Sequence, residues 1–391
     1  MSNMIDYVKW RCDISFSNSP LNEVDSLIFT ELSYLPFEHF VPSVDSNKKL
    51  LLSEVADRFF DVYDEDRSIG AIIPGPYIIK LFRLLSKSTR YAEVKMWAYV
   101  NDISKDKEKQ FSAICFSWDK DNTYIAFRGT DDTLIGWKEN LNMALYTPIP
   151  AQQDGVDYVE KIATLVKKDK LYIGGHSKGG NISVYSALNV SPKVKKRICR
   201  VYNFDGPGFT SRYLDLVNDL DTISKIWNYL PEGSLIGRIF DSVGEHVIVK
   251  SFVKGVQQHD AFSWDVMGAE FIRANKFESG SDDFHVLLKS WVSKMTEEDR
   301  HKFVDSFYRI ATSTNASTLS DIMIAKMKFV MGVISSKGED KKIVIDGIKR
   351  LLKEKNEIKG SAKSKLYLKK VEEDDTPIES VYFSPGNKKN K

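Results

Sequence analysis

The sequence predicts an α/β fold in which a mostly parallel sheet is flanked by helices and followed by a C-terminal helical appendage. Three observations lead to this prediction. Short apolar runs alternate with helical stretches from Phe111 onward, a glycine-flanked serine separates an apolar run from a helix at residues 175–179, and strand-like runs stop beyond about residue 285. Strands that alternate with helices are typical of parallel sheets with helical crossovers.

The first 110 or so residues are predicted to be mixed in structure and dominated by helices. Helical spacing of apolar residues is clear at 78–85, directly after Pro74-Gly75-Pro76, and apolar residues also cluster at 50–52. We expect this part to pack against the sheet and to form one domain with it over residues 1–285.

Strand-like segments begin after this helical part. Ser112–Phe116 and Tyr124–Phe127 flank a polar turn and predict a β-hairpin. Further strands are predicted at 170–173 and 200–204. Helices are predicted around 156–166 and 181–188, between the strands.

The C-terminal part is predicted to consist of helices and a tail. A helix begins at Thr296, and Phe303, Phe307 and Ile310 then fall on one of its faces. Amphipathic segments follow at 319–331 and 343–352. We expect a helical appendage over 286–358, with its Met and Phe side chains in packing, and a charged, disordered tail over 359–391.

Composition excludes several classes of function. The 391 residues include 56 basic and 54 acidic side chains, so the net charge of +2 gives no general attraction to nucleic acid or an anionic membrane. The three cysteines are widely spaced and odd in number, which disfavours a disulfide or zinc framework. The sequence has neither a secretory signal nor an apolar run of about 18 residues. We expect a cytoplasmic protein without a transmembrane segment.

The glycine-flanked serine is the strongest functional signal. Gly175-His176-Ser177-Lys178-Gly179 matches the G-x-S-x-G pattern, in which a nucleophilic serine occupies a sharp turn between a strand and a helix. Glycines without Cβ atoms let the strand and helix approach each other closely. We therefore predict Ser177 as a nucleophile, with a plain turn as the alternative.

A serine hydroxyl needs a base to accept its proton, and four histidines follow Ser177 in the sequence. His301 is predicted on the surface of a helix, and His285 opens an apolar segment that indicates a structural role. His259 lies in a polar loop after a late strand, where functional side chains collect. His259 is the predicted base, with His246 as its rival.

An acid is needed to orient the base, and three carboxylates are candidates. Asp205 directly follows the strand that ends at Phe204, at the edge of the sheet where functional groups gather. A simple turn-capping role is the alternative for Asp205. Glu232 and Asp241 stay open as other candidates.

An acyl-transfer site also needs donors for the oxyanion. The residue after the nucleophile supplies one backbone N–H, here that of Lys178. Thr130, at the end of the predicted strand 124–127, is the natural second donor, with an ordinary polar turn as the alternative.

Together these motifs resemble the class 3 (fungal-type) lipase branch of the α/β-hydrolase superfamily. The residues that carry this resemblance are Phe127-Arg128-Gly129-Thr130, Gly136-Trp137-Lys138-Glu139-Asn140-Leu141 and Gly175-His176-Ser177-Lys178-Gly179-Gly180. Over roughly residues 5–330 the chain is more closely similar to a bacterial, lipase-related family of hydrolase-like proteins without an assigned function. That closer match lies in Asp6-Tyr7, Asn22-Glu23-Val24-Asp25, Gln110-Phe111-Ser112-Ala113, Asn203-Phe204-Asp205-Gly206-Pro207-Gly208-Phe209, and Gln258-His259-Asp260 with Trp264.

The resemblance implies an α/β-hydrolase fold with Ser177 as nucleophile, His259 as the C-terminal catalytic histidine, and Thr130 and Lys178 as oxyanion donors. Lipases of this class carry their acid in a D-x-V-P-like stretch, and the best match here has Asn228 at the aspartate position. Asp205 or Glu232 takes that role, or the site works as a dyad. Lys178 replaces an apolar residue and implies a more polar mouth.

The predicted function is that of a serine hydrolase that cleaves an ester or thioester. Its substrate would be a small-molecule or lipid-like acyl ester, and it would use no cofactor or metal. The segment 133–151 is a candidate lid, with ordinary packing as the alternative. A hydrolase-fold binding or regulatory protein with little or no turnover is the alternative function, and Asn228 is the feature that favours it.

Overall fold

An eight-stranded sheet forms the centre of the computed structural model, which describes residues 1–63, 77–104, 106, 109–130, 138–139, 142–143, 147–312 and 338–360. The strand order in the sheet follows the order in the chain. The strands are β1 Leu50–Leu51, β2 Lys95–Ser104, β3 Lys109–Trp118, β4 Asn122–Phe127, β5 Lys170–His176, β6 Ile198–Phe204, β7 Ile226–Pro231 and β8 Glu245–Val249.

Strands β1 to β4 pair in antiparallel fashion, whereas β4 to β8 are parallel to one another. The predicted mostly parallel sheet and the hairpin of β3 and β4 are therefore confirmed. Two very short strands, β9 Val266–Met267 and β10 Glu270–Phe271, form a separate antiparallel pair. Because parallel strands need crossover connections, the chain between β4 and β7 supplies helices that cover one face of the sheet.

Helices cover both faces of the sheet. They are α1 Met4–Arg11, α2 Glu23–Leu32, α3 Leu52–Phe60, α4 Tyr77–Ser86, α5 Pro150–Leu165, α6 Lys178–Asn189, α7 Pro192–Lys195, α8 Ser211–Leu214, α9 Leu220–Ile223, α10 Ser279–Ser293, α11 Glu297–Thr312 and α12 Glu339–Gly360. Successive residues of a strand face opposite sides. Tyr124 accordingly packs in the core beneath α1 to α4, and Ile125 packs in the core beneath α5 and α6.

The strand β2 lies within the part of the sequence that was predicted to be dominated by helices. Its pairing with β3 shifts register between Trp97 and Val100, and Ala98 has a positive φ of 57°. This bulge interrupts the regular alternation of inward and outward side chains, which is the pattern that would have identified the strand.

Beyond residue 285, the described elements are all helical, as predicted. The helix α10 spans the predicted boundary between residues 285 and 286. Thr296 caps α11 by accepting a hydrogen bond from the Asp299 N–H, and Trp291 of α10 contacts Phe303 of α11 edge-on. The predicted helix over 319–331 and nearly all of the predicted tail lie outside the described residues.

None of the helices in the described part of the chain combines the length and the apolar character needed to cross a lipid bilayer.

Candidate active site

Ser177 is the single residue of a strained turn between the end of β5 and the start of α6. Its backbone has φ 57° and ψ −128°, a conformation that a residue with a side chain rarely adopts. From Ile173 to Leu188 every residue except Ser177 is buried. The fold therefore presents this one side chain to the surface from an otherwise closed segment.

The two glycines around Ser177 are sterically required. A Cβ at Gly175 would lie 2.1 Å from the backbone carbon of Gly179, and a Cβ at Gly179 would lie 2.1 Å from the carbonyl oxygen of Phe127. The close approach that the sequence predicted between strand and helix is therefore confirmed. It also brings the start of α6 against the end of β4.

His259 and Asp205 are joined directly by a hydrogen bond. Nδ1 of His259 lies 2.6 Å from Oδ2 of Asp205, and both side chains are nearly or fully buried. A carboxylate oxygen accepts this bond, so Nδ1 carries a proton, and in a neutral ring Nε2 keeps its lone pair. This is the tautomer that a general base requires.

The Asp205 carboxylate is fixed by two further donors that the sequence did not identify. Its Oδ1 accepts hydrogen bonds from the Ser234 hydroxyl at 2.5 Å and from the Gly237 backbone N–H at 3.1 Å. Its own backbone N–H donates to the Tyr229 carbonyl, and its φ is 50°. Three donors on one buried carboxylate hold its orientation.

The Asp205 turn lies directly beside the Ser177 turn. The Ser177 N–H donates to the Phe204 carbonyl at 2.9 Å, and a Cβ at Gly206 would lie 2.5 Å from the Ser177 carbonyl oxygen. The ring of His176 contacts the ring of His259, with centroids 4.6 Å apart. The fold therefore brings Ser177, Asp205 and His259 to one edge of the sheet.

The loop that carries His259 is held at several points. It consists of two short 3₁₀ helices, Gly255–His259 and Ala261–Ser263. The buried Trp264 donates its indole N–H to the Gln258 carbonyl at 2.8 Å, and the Gln258 side chain accepts from the Gly233 N–H. In the sequence, the position of Gln258 directly before His259 is the one signal for this support.

The other candidate bases and acids contact different residues. His246 is exposed on β8 and is within 2.7 Å of the Ser242 hydroxyl. His285 donates from Nδ1 to the Arg238 carbonyl. Asp241 pairs with Lys289 of α10 at 2.7 Å.

Asn228 occupies a structural position on β7. It is buried opposite Asn203 of β6 and accepts a hydrogen bond of 2.8 Å from that side chain. Its own amide donates to the carbonyls of Val243 and Glu245. Asn228 thus ties β6 to β7 and to the start of β8.

The expectation that Lys178 makes the mouth of the site more polar is wrong. The Lys178 side chain is 1% exposed and pairs with the equally buried Glu139 at 2.7 Å. Its other two protons go to the backbone and side-chain oxygens of Gln110. Glu139 also accepts the N–H groups of Gln110 and Ala151. The lysine therefore anchors the start of α6 internally, and its backbone N–H follows the serine directly.

Thr130 follows the end of β4 and is partly exposed, like Ser177. Its neighbour Gly129 lies against the Ser177 turn, because an added Cβ there would be 2.6 Å from the His176 carbonyl oxygen. The lid candidate over 133–151 lies mostly outside the described residues and stays a prediction.

Within the described ranges, no group of three or more His, Cys, Asp or Glu side chains is placed to hold a metal ion. Cys12, Cys115 and Cys199 are free thiols, of which Cys115 is buried. Burial raises the pKa of the Cys115 thiol to about 12. A neutral thiol of this kind is neither a metal ligand nor a nucleophile.

The sheet order and the strained serine turn give this protein an α/β-hydrolase-like fold. A family model described as Mbeg1-like matches residues 85–309, which is more than half of the chain. The protein belongs to the Mbeg1-like family.

Two solved structures are similar to the chain at low identity. A mutant form of MDLA from Penicillium cyclopium is 9% identical, with a TM-score of 0.36, over 69% of this chain and 92% of that chain. The M37 lipase is 15% identical, with a TM-score of 0.35, over 57% of this chain and 71% of that chain. Among curated proteins, none matches this sequence.

Proposed function

We propose that this protein is a serine hydrolase that cleaves an ester or thioester through an acyl-enzyme on Ser177. The observation that carries the proposal is the 2.6 Å hydrogen bond between His259 and Asp205, on the turns that flank the strained Ser177. A nucleophile, a base and an orienting acid at one sheet edge are the parts that acyl transfer needs.

In the proposed first half-reaction, the Ser177 hydroxyl oxygen attacks the acyl carbon while Nε2 of His259 accepts the hydroxyl proton. The Asp205 carboxylate stabilises the imidazolium that forms. The backbone N–H groups of Lys178 and Thr130 hold the oxyanion of the tetrahedral intermediate. When the intermediate collapses, the alcohol or thiol leaves with the proton from His259, and the acyl group stays on Ser177.

In the second half-reaction, His259 accepts a proton from water, and the resulting hydroxide attacks the acyl-enzyme. Collapse of this second intermediate returns the proton to Ser177 and releases the carboxylic acid. The balance needs water alone as co-reactant, so these residues suffice for the cycle.

The alternative of a protein without turnover was suggested by Asn228, which stands where the lipase aspartate is expected. The hydrogen bonds of Asn228 go to Asn203, Val243 and Glu245, whereas His259 has Asp205 as its partner. A missing aspartate on β7 is therefore compatible with a complete set of groups, and this supports the hydrolase.

The experiment is hydrolysis of a short-chain p-nitrophenyl ester and of the matching thioester by wild type, Ser177→Ala and Ser211→Ala. Ser211 is an exposed serine on α8 and serves as the matched control. We expect turnover by wild type and Ser211→Ala and its loss in Ser177→Ala. Equal turnover by all three proteins, or none by wild type, would contradict the proposal.

A further inference from the structure

His176 is a buried histidine that the proposed reaction does not use. It ends β5, directly before Ser177, and its side chain is fully buried. Its Nε2 lies 2.8 Å from the backbone carbonyl oxygen of His259, although the two residues are 83 positions apart in the chain. The two imidazole rings also contact each other, with centroids 4.6 Å apart and planes inclined by 32°.

The partners of His176 determine where its proton lies. A carbonyl oxygen can only accept, so Nε2 carries the hydrogen in the bond to His259. The Tyr34 hydroxyl lies 3.0 Å from Nδ1. In a neutral ring Nδ1 is an acceptor, and Tyr34 therefore donates to it. Both ring nitrogens of a neutral His176 are thus satisfied.

The surroundings of His176 favour this neutral form. Burial, and next the charge of His259, lower the pKa of His176 well below its ordinary value. The Glu31 carboxyl oxygen Oε1 is 3.9 Å from Nδ1. Burial, and next the charge of Asp260, raise the pKa of Glu31 well above its ordinary value, which favours the uncharged acid there. Among the described residues, none therefore provides an ionised carboxylate that would hold His176 as a cation.

A neutral His176 suits a neighbour that becomes positively charged. In the proposed reaction His259 turns into an imidazolium, and a second cation in ring contact would oppose that step. The Nε2–H group of His176 donates to the backbone carbonyl of His259. The His259 ring is therefore held by Asp205 at Nδ1 and by the main chain of His259, which His176 fixes.

We propose that His176 is a positioning residue that sets the place of the base, by donating Nε2–H to the His259 carbonyl and by packing its ring against the His259 ring. This inference rests on the proposed function. The His176 side chain would thus join the Ser177 turn to the loop that carries His259.

Two amide substitutions of His176, which differ in length, test this contact. The amide nitrogen of glutamine reaches about as far from the backbone as Nε2 of histidine, whereas that of asparagine reaches only as far as Nδ1. His176→Gln can therefore donate to the His259 carbonyl, and His176→Asn cannot. Both variants are polar and uncharged and both lose the ring contact with His259, but asparagine is one methylene shorter, so thermal unfolding is needed to show how far their packing differs. Turnover of the p-nitrophenyl ester and thermal unfolding are measured for both.

We expect His176→Asn to lower kcat at least about tenfold relative to His176→Gln, with KM changed by less than about twofold. Hydrogen bonds that orient functional histidines are worth about 10- to 100-fold at metal sites, and the lower end suits a backbone contact. A value of kcat that is the same in the two variants would overturn the inference while Ser177-dependent turnover by wild type still stands. Absence of that turnover in wild type would overturn the proposed function and this inference with it.

A second measurement needs no variant. Long-range ¹H–¹⁵N correlation spectra of the wild-type protein identify the protonated nitrogen of each histidine ring. At neutral pH we expect His176 to be neutral with its proton on Nε2. A cationic ring, or a proton on Nδ1 instead, would overturn the inference even where His176→Asn fails to fold.

Discussion

The carboxylate of Asp205 accepts a hydrogen bond of 2.6 Å from Nδ1 of His259, which lies 54 residues further along the chain. Asp205 follows β6, the strand next to β5 and Ser177. The next strand, β7, has Asn228 at the position where the lipase resemblance implies an aspartate. The carboxylate that contacts His259 therefore lies one strand nearer to Ser177 than the lipase resemblance implied.

Replacing Asp205 tests whether it orients the base. Asp205→Asn removes the acceptor for the Nδ1–H of His259 and favours the tautomer that carries its proton on Nε2. We expect ester turnover to fall by about 10³- to 10⁴-fold, as the loss of such an acid does elsewhere. Steady-state kinetics with the p-nitrophenyl ester give the comparison.

The controls for this substitution are Asp241→Asn and Glu232→Gln, which replace the other two candidate acids. Asp241 is paired with Lys289, so its loss should leave turnover within about threefold of wild type. A larger loss in either control than in Asp205→Asn would move the acid to that residue.

Two histidine variants test the base. His259→Ala removes the Nε2 acceptor, and general-base catalysis contributes about 10²- to 10⁴-fold. We expect a loss of turnover in that range, measured with the same ester. His246→Ala should stay close to wild type, because His246 is exposed and contacts Ser242. The opposite ranking of the two variants would place the base at His246.

The buried pair of Lys178 and Glu139 predicts a strong effect on stability. Lys178→Met would leave the Glu139 carboxylate buried without its cation, which costs about 3–5 kcal/mol of the free energy of unfolding. The double variant Lys178→Met/Glu139→Leu removes both charges and should be less destabilised than Lys178→Met. Urea unfolding followed by circular dichroism measures these two variants and the single variant Glu139→Leu. A double variant that loses the sum of the two single losses would show that the charges do not depend on each other.

Much of the fold could be predicted from the sequence because its signals are local. The turn at Ser177 carries its glycines beside it, and the hairpin of β3 and β4 has apolar runs with a polar turn between them. The bulge at Ala98 obscured β2, because it breaks the alternation on which strand prediction depends.

The contacts of the candidate site depend on side chains far apart in sequence. Ser234 and Gly237 support Asp205 from a turn about 30 residues away, and no local pattern marks them. Lys178 is buried because it pairs with Glu139, and the separation of these two residues in the sequence does not indicate that they meet. A charged residue beside the nucleophile therefore suggested exposure, although the fold pairs it internally.

Glu31 predicts a pH dependence of stability. Its pKa is raised by burial well above the ordinary 4.5, so the folded protein keeps a proton that the unfolded chain releases. Stability contributed by the protonated acid is present below pH 4.5 and is lost as pH rises toward the folded pKa, by at most about 1.4 kcal/mol per pH unit. Glu31→Gln, which is uncharged throughout, should therefore gain in free energy of unfolding relative to wild type as pH rises.

Urea unfolding at a series of pH values checks this trend, with Glu93→Gln as the exposed control. The control should run parallel to wild type. A constant difference between Glu31→Gln and wild type across the series would mean that Glu31 titrates alike in the folded and unfolded protein.

The most direct measurement of the central claim is covalent labelling with a fluorophosphonate, followed by mass spectrometry of the labelled peptide. This reagent reacts with a serine that a neighbouring base has activated. We expect one adduct per chain, located at Ser177, and none in Ser177→Ala. No adduct in the folded wild-type protein, or an adduct at another residue that persists in Ser177→Ala, would contradict the assignment of Ser177 as the nucleophile.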